Sequence, residues 1–197
     1  TDPELVINFY NERRKQLLDV VPNAGHLGVA DLERDFNVTV VTQNVDNLHE
    51  RAGSTHVIHL HGELTKVCSS RDPYNPHFVK ELAPEEYEVK LGDKAGDGTQ
   101  LRPFIVWFGE SVPEIETAIR YVEQADIFVI IGTSLNVYPA AGLLNYVPRA
   151  AEVYLIDPKP VDTHVMRPIH VIQKGASEGV KELKALLTAT QPLCLRT

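Results

Sequence analysis

The chain has 197 residues, 43% of them hydrophobic, enough for one sizeable core with a small satellite module. Its 19 Lys and Arg against 27 Asp and Glu give a formal net charge of −8, which argues against nucleic acid or an anionic membrane as partner, since both reward a basic surface. Two distant cysteines, Cys68 and Cys194, make neither a four-cysteine zinc site nor a disulfide framework. No apolar run approaches the roughly 20 residues of a membrane span and no signal peptide opens the sequence, so a cytoplasmic setting is expected.

"TDPELVINFYNERRKQLL" reads as a helix, with Asp2 able to cap and Pro3 suited to the first turn. "PNAGHLGVADLERDF" reads as a second, with Asn23 as its cap. "VTVVTQ" is a strand rich in β-branched residues, and Val57 to Leu60 form another. Residues 65–100 are polar, broken by Pro73, Pro76 and Pro84, and end in the loop signal "LGDKAGDGTQ", as expected of an inserted module. "RPFIVWFGE" returns to strand and "VPEIETAIRYVEQA" is an amphipathic helix. "DIFVIIGTS" is a continuously apolar strand, the pattern of a sheet covered on both faces. "YPAAGLLNYV" is helical, "EVYLID" and "HVIQKG" are strands, and "SEGVKELKALL" is a closing helix.

The alternation predicts an α/β fold, a Rossmann-like parallel sheet with helices on both faces plus a smaller inserted module. The expected division is residues 31–64 and 101–197 as the Rossmann-like part, 1–30 as a helical part of the small domain, and 65–100 as the insert. Ligands of such sheets bind at the carboxyl ends of the strands, and three polar clusters follow strand ends here: "TQNVD", "GTSLN" and "IDPK".

Each cluster has a chemical reading and a plain one. In "IIGTS", Gly132 permits close approach of the backbone, and Thr133, Ser134 and nearby amides can donate to phosphate; the plain reading is a tight strand-to-helix turn. Asp157 can accept from both hydroxyls of an adenosine ribose, or simply form an Asp-Pro turn. In "HLHGE", His59 and His61 are expected to face apart, one packing and one entering the cleft, so that they do not share a metal. A cleft histidine beside Gly62, which leaves its surroundings open, suits general-base work; the plain reading is a hydrogen-bonded structural histidine.

Together, "TQNVDNLHERAG", "HLHGEL", "RPFIVWFGE", "IGTSLNVYPAAG" and "GASEGVKEL" resemble, in order and spacing, the sirtuins, NAD-dependent protein-lysine deacylases, and in particular the bacterial type related to the mitochondrial desuccinylase. The resemblance covers nearly the whole chain outside 65–100. It implies that NAD is consumed as a co-substrate: the acyl oxygen attacks the ribose carbon bearing nicotinamide, nicotinamide leaves as an alkylimidate forms, and water completes the release of lysine and O-acyl-ADP-ribose. His61 matches the catalytic histidine. Asn44 and Asp46 match residues around the nicotinamide and its ribose, Gln43 a ribose contact, and Val45 lies in the same run. Gly132, Thr133 and Ser134 match phosphate and ribose contacts, Asp157 a ribose contact, and Ala176 a backbone contact near adenine.

The resemblance also makes "WFGE", with Gly109 and Glu110, and "LNVYP" the two edges that clamp an extended acyl-lysine peptide. Val106, Phe108 and Val137 are then tunnel residues, with core packing as the plain reading of Val106. Tyr10 and Arg13, three apart on one helix face, match the pair that holds the distal carboxylate of succinyl-, malonyl- or glutaryl-lysine; the plain reading of "ERRK" is a solvated charge run. Deacetylation is expected beside desuccinylation. The partners expected are acylated proteins, with no nucleic acid and no membrane, and the protein is expected to be a monomer.

Three departures from the family pattern carry expectations of their own. The paired Cys-x-x-Cys ligands of a structural zinc are absent, so no zinc is expected. Asp157 stands where Asn is common, which favours NAD over NADP. The glycine-rich opening of the family does not occur, so the chain by itself is expected to lack part of the pyrophosphate site. The rival readings are an NAD hydrolase on the same fold and a non-catalytic ADP-ribose-binding module.

Overall fold

The computed structural model describes residues 2–133, 140–160 and 167–190. Its elements are α1 (Pro3–Asp19), α2 (Ala24–Leu32), β1 (Val40–Thr42), α3 (Leu48–Ala52), β2 (Val57–His59), β3 (Gly62–Ser69), β4 (Lys80–Glu81), β5 (Leu101–Ile105), α4 (Ile115–Val122), β6 (Ile127–Ile131), β7 (Glu152–Ile156), β8 (His170–Ile172) and α5 (Ala176–Thr190), with 3₁₀ turns at Pro76–Phe78, Pro84–Glu86 and Ala140–Tyr146. The architecture is α/β and Rossmann-like, in two compact units: Thr1–Val21, Val41–Leu48 and His59–Glu114 in one, Pro22–Val40, His49–Ile58 and Ile115–Thr197 in the other.

In the first unit, α1 starts where the Asp2 carboxylate accepts from Leu5 N–H at 3.1 Å and Pro3 occupies the first turn. Its buried residues, Ile7, Arg14 and Leu17, recur at helical spacing. Ile7 packs on Val67 and Val89, and Leu17 on Leu64 and Ile105. Strands β4, β3 and β5 form an antiparallel sheet in that order. Gly62 pairs with Ile105 and Glu63 with Phe104, but Val67 pairs with Pro103, so residues 64–66 are extra on β3 and the register shifts. Pro103, which has no N–H to give to a ladder, sits at that shift.

The loop ahead of β5 is tied by polar contacts. Ser69, fully buried, donates to Asp97 Oδ2 at 2.7 Å and meets Thr99 Oγ1 at 2.9 Å, while the N–H groups of Arg71 and Asp72 donate to Ser69 Oγ. Beside it, burial pushes the Cys68 thiol up to about 11. Among the described residues, no group of three or more His, Cys, Asp or Glu could hold a metal ion.

In the second unit β6, β7 and β8 are parallel, with Ile127 opposite Glu152 and Tyr154 opposite His170. Successive residues of a strand point to opposite faces, and Val153, Tyr154, Leu155 and Ile156 are all buried, so β7 is covered on both. Tyr154 and Ile156 pack with Val29 and Leu32 of α2 and with Val180 and Leu183 of α5. Glycines allow the close packing: a Cβ at Gly179 would lie 2.2 Å from Ile156 Cγ2, and one at Gly28 would lie 2.7 Å from Val180 Cγ1. α2 opens with a capping box, Asn23 accepting from Gly25 and His26 N–H while His26 Nδ1 accepts from Asn23 N–H.

β1 and β2 pair with each other, Val40 N–H donating to His56 C=O and Leu60 N–H to Thr42 C=O. Both bonds advance in the same direction along the two strands, so the pair is parallel. No helix among the described residues is long and apolar enough to cross a membrane.

Candidate active site

β1 ends at Thr42, and the chain enters "QNVDN" held by its own hydroxyls and carboxylates. Thr42 Oγ1 accepts from Asn44 N–H at 3.0 Å, and Asp46 Oδ1 accepts from Leu48 N–H at 3.0 Å at the start of α3. Val45 is drawn inward: its carbonyl accepts from Leu64 N–H at 2.7 Å and its side chain packs against Leu17, Leu64 and Ile105. Asn44 is exposed, Gln43 and Asp46 are half-buried. The side-chain oxygen of Asn47 is buried and, among the described residues, has no partner.

Two histidines hold this loop. His61 Nδ1 lies 3.1 Å from Gln43 C=O and His59 Nδ1 3.2 Å from Asn44 C=O. A carbonyl oxygen only accepts, so each Nδ1 carries its proton. In His61 this leaves Nε2 with a lone pair and, among the described residues, without a partner. A half-buried imidazole held in that tautomer is a base at a fixed position. The expectation that the two rings face apart is corrected, since both rings meet the same loop, at Asn44 C=O and Gln43 C=O. Gly62 is also not there to open space. At φ 82° its missing Cβ would fall 2.1 Å from Phe104 C=O, so the glycine lets β3 and β5 approach.

Tyr10 and Arg13 share one face of α1. Trp107 Nε1–H donates to Tyr10 Oη at 3.0 Å, and the exposed Arg13 guanidinium lies 5.3 Å from the centroid of the Phe9 ring and 3.5 Å from Gln16 Oε1. After β5, Val106 is half-buried with its N–H on His61 C=O at 2.9 Å, Phe108 is fully exposed, and Gly109 takes φ 91° in the turn. Glu110 turns back: its carboxylate takes Arg102 Nη1 at 2.7 Å and Nη2 at 3.0 Å, and Trp107 N–H at 2.9 Å. Those bonds, Arg102 foremost, hold Glu110 below the usual carboxylate range.

At the ends of the parallel strands, Gly132 has φ 59°, its N–H donates to Ile156 C=O, and an added Cβ would meet no atom of the described residues within 4 Å. This open backbone suits close approach of a phosphate. Thr133 follows it, half-buried; Ser134 and Val137 lie outside the described residues. Asp157 directly follows β7, with Oδ1 accepting from Lys159 N–H at 2.8 Å, the Asp-Pro turn of the plain reading, which leaves Oδ2 to accept from elsewhere. Ala176 is the first residue of α5 and half-buried.

The sequence reading passed over Trp107, Arg102 and Arg14. Trp107 is the chain's one tryptophan, a signal in itself, but its partner lies 97 positions away. Arg14 is buried beside Arg13 and donates to Leu64 C=O at 2.9 Å and Asn11 Oδ1 at 2.9 Å; burial lowers it to about 10. Of the two arginines in "ERRK", then, one is structural and the other is presented outward.

Comparison with known proteins identifies relatives of this chain. The profile of the Sir2 family matches residues 1–139. An NAD-dependent protein deacylase of Bacteroides thetaiotaomicron is 83% identical over 186 residues, 94% of this chain and 80% of that protein. One of Helicobacter pylori is 47% identical over 182 residues, 92% of this chain and 77% of that protein. The solved structure of a Sir2 homolog–NAD complex superposes with a TM-score of 0.80 at 37% identity, covering 96% of this chain and 74% of that one. With most of its length matched by the family profile and 83% identity to the Bacteroides thetaiotaomicron protein over 94% of its length, the chain belongs to the Sir2 family.

Proposed function

We propose that this protein is an NAD-dependent protein-lysine deacylase that removes succinyl and other acidic short acyl groups from lysine, and acetyl as well. The observation that carries the reading is the His61–Gln43 contact, which leaves Nε2 of a half-buried imidazole as a fixed base. Names of relatives that share most of the chain support NAD as co-substrate and acylated protein as substrate.

In this reading Gln43, Asn44 and Asp46 hold the nicotinamide ribose, and Gly132, Thr133, Asp157 and Ala176 take the rest of the nucleotide. His61 accepts the proton of a ribose hydroxyl at Nε2, and the imidazolium so formed keeps its Nδ1–H bond to Gln43 C=O. The exposed Phe108 and Gly109 meet the acyl-lysine segment, with Val106 behind them. At the acyl end Arg13 forks the distal carboxylate and Tyr10 donates its hydroxyl proton. The protein works as a cytoplasmic monomer and needs no structural zinc, the Ser69–Asp97–Thr99 contacts holding the loop instead.

The test is deacylation of matched acetyl- and succinyl-lysine peptides, with and without NAD, followed by mass spectrometry. NAD-dependent loss of both groups is expected. Arg13→Met should lower the succinyl-to-acetyl ratio of kcat/KM by about 10- to 100-fold, the scale of a lost charge-assisted bond. Equal losses on the two peptides would rule out the carboxylate clamp. NAD cleavage without any peptide turnover would point to an NAD hydrolase instead.

A further inference from the structure

The motif "RPFIVWFGE" contributes more to the fold than a strand and a turn. Its first and last residues close on each other: Arg102, 8% exposed, gives Nη1 and Nη2 to the two oxygens of Glu110. The guanidinium carbon lies 3.5 Å from the centroid of the Trp107 ring, and Glu110 also takes the Trp107 backbone N–H. The indole is therefore fixed at its face and at its main chain. Its one polar atom, Nε1, is aimed at Tyr10 on α1, 3.0 Å from the hydroxyl oxygen.

That contact has a direction. Indole N–H can only donate, and a phenol has one proton to give. With Trp107 on its oxygen, Tyr10 must spend its own O–H on another acceptor, and among the described residues it meets none. A hydrogen bond received at the oxygen also polarises the O–H and makes it a better donor. A carboxylate is acceptor-only, so this hydroxyl is arranged for it. A methyl-ended acetyl group gains nothing from it.

We infer that Trp107, held by the Arg102–Glu110 pair, is a positioning residue for acyl specificity: it presents the Tyr10 hydroxyl as a donor to the distal carboxylate of an acidic acyl-lysine. The inference rests on the carboxylate clamp proposed above. It adds that the clamp depends on a residue that does not itself meet the acyl group.

The experiment is a double-mutant cycle of Trp107→Phe and Tyr10→Phe in the wild-type protein, read as the succinyl-to-acetyl ratio of kcat/KM. Phenylalanine keeps a ring over Arg102 and removes the N–H. Trp107→Phe should lower the ratio about fivefold to tenfold, mostly through the KM of the succinyl peptide. In a Tyr10→Phe background it should lower the ratio no further. Glu110→Gln, which weakens the fork under the indole, should lower the same ratio about twofold to threefold if Trp107→Phe does not fold. An unchanged ratio in the variant that folds, or losses that multiply independently, would overturn the inference while leaving the clamp in place. A wild-type protein that turns over acetyl-lysine but not succinyl-lysine would instead remove the clamp, and the inference with it.

Discussion

The parallel strands β6, β7 and β8 bury Val153 and Leu155 on one face of β7 and Ile156 on the other, where it packs with Val180 and Leu183 of α5, every one of them at 1% exposure or less. The antiparallel strands β4, β3 and β5 and the helix on them bury Ser69, Arg14 and Arg102 along with Val67 and Cys68. Apolar burial is non-directional and nearly indifferent to pH, so it fixes where strands lie without fixing the aim of any one atom. Buried polar groups need partners at set distances and angles, which aims them at a cost in desolvation. In this molecule the polar half contains His61 on Gln43, Tyr10 under Trp107, and Arg102 on Glu110. The difference shows where the fold trades cheap stability for geometry.

The sharpest test of that comparison is His61→Ala. It should lower deacylation by about 10²- to 10⁴-fold, the span of general-base catalysis, while NAD still binds by calorimetry and the melt barely moves. A large fall in melting temperature would show that His61 is structural and that the polar half is not specialised for chemistry.

Leu155→Ala breaks the apolar half. Leu155 has no exposed surface, and its truncation should cost about 3 to 5 kcal/mol of unfolding free energy in urea melts, nearly equally at pH 5 and pH 8. A loss that varied strongly with pH would mean that this half too depends on ionised groups.

The smallest effect concerns Asp97. The Thr99 hydroxyl, then Ser69, hold its carboxyl down to about 2 from an ordinary 3.8. A folded-state value below the unfolded one stabilises above about pH 4, and that contribution is lost as pH falls through about 2. Asp97→Asn should therefore lower stability at pH 7 yet flatten its decline between about pH 4 and pH 2. Trp107, the only tryptophan, sits in the same half and reports the transition by fluorescence. An acid slope identical in wild type and variant would remove Asp97 from the account.

Much of this was legible in the residues themselves. Local patterns place α1 behind Asp2 and Pro3, α2 behind Asn23, and the apolar run "DIFVII" as a strand, although only Ile130 of it is buried. They also single out His61 and Gln43, because polar residues straight after core strands mark the rim of an α/β sheet. The wrong expectation for His59 and His61 did not need tertiary structure to avoid, since strand periodicity alone puts both on one face.

What the sequence determined by itself is what depends on neighbours a few residues apart: the alternation of strands and helices, the caps, and which residue types stand at strand ends. Tertiary structure alone decided the rest. That "RPFI" pairs with β3 through a shifted register, that Ser69 finds Asp97 and Thr99, and that Trp107 reaches Tyr10 all join positions 28 to 97 apart or the two sides of a sheet. The physical reason is that a hydrogen-bond partner is chosen by distance and angle in space, and local propensity carries no record of either.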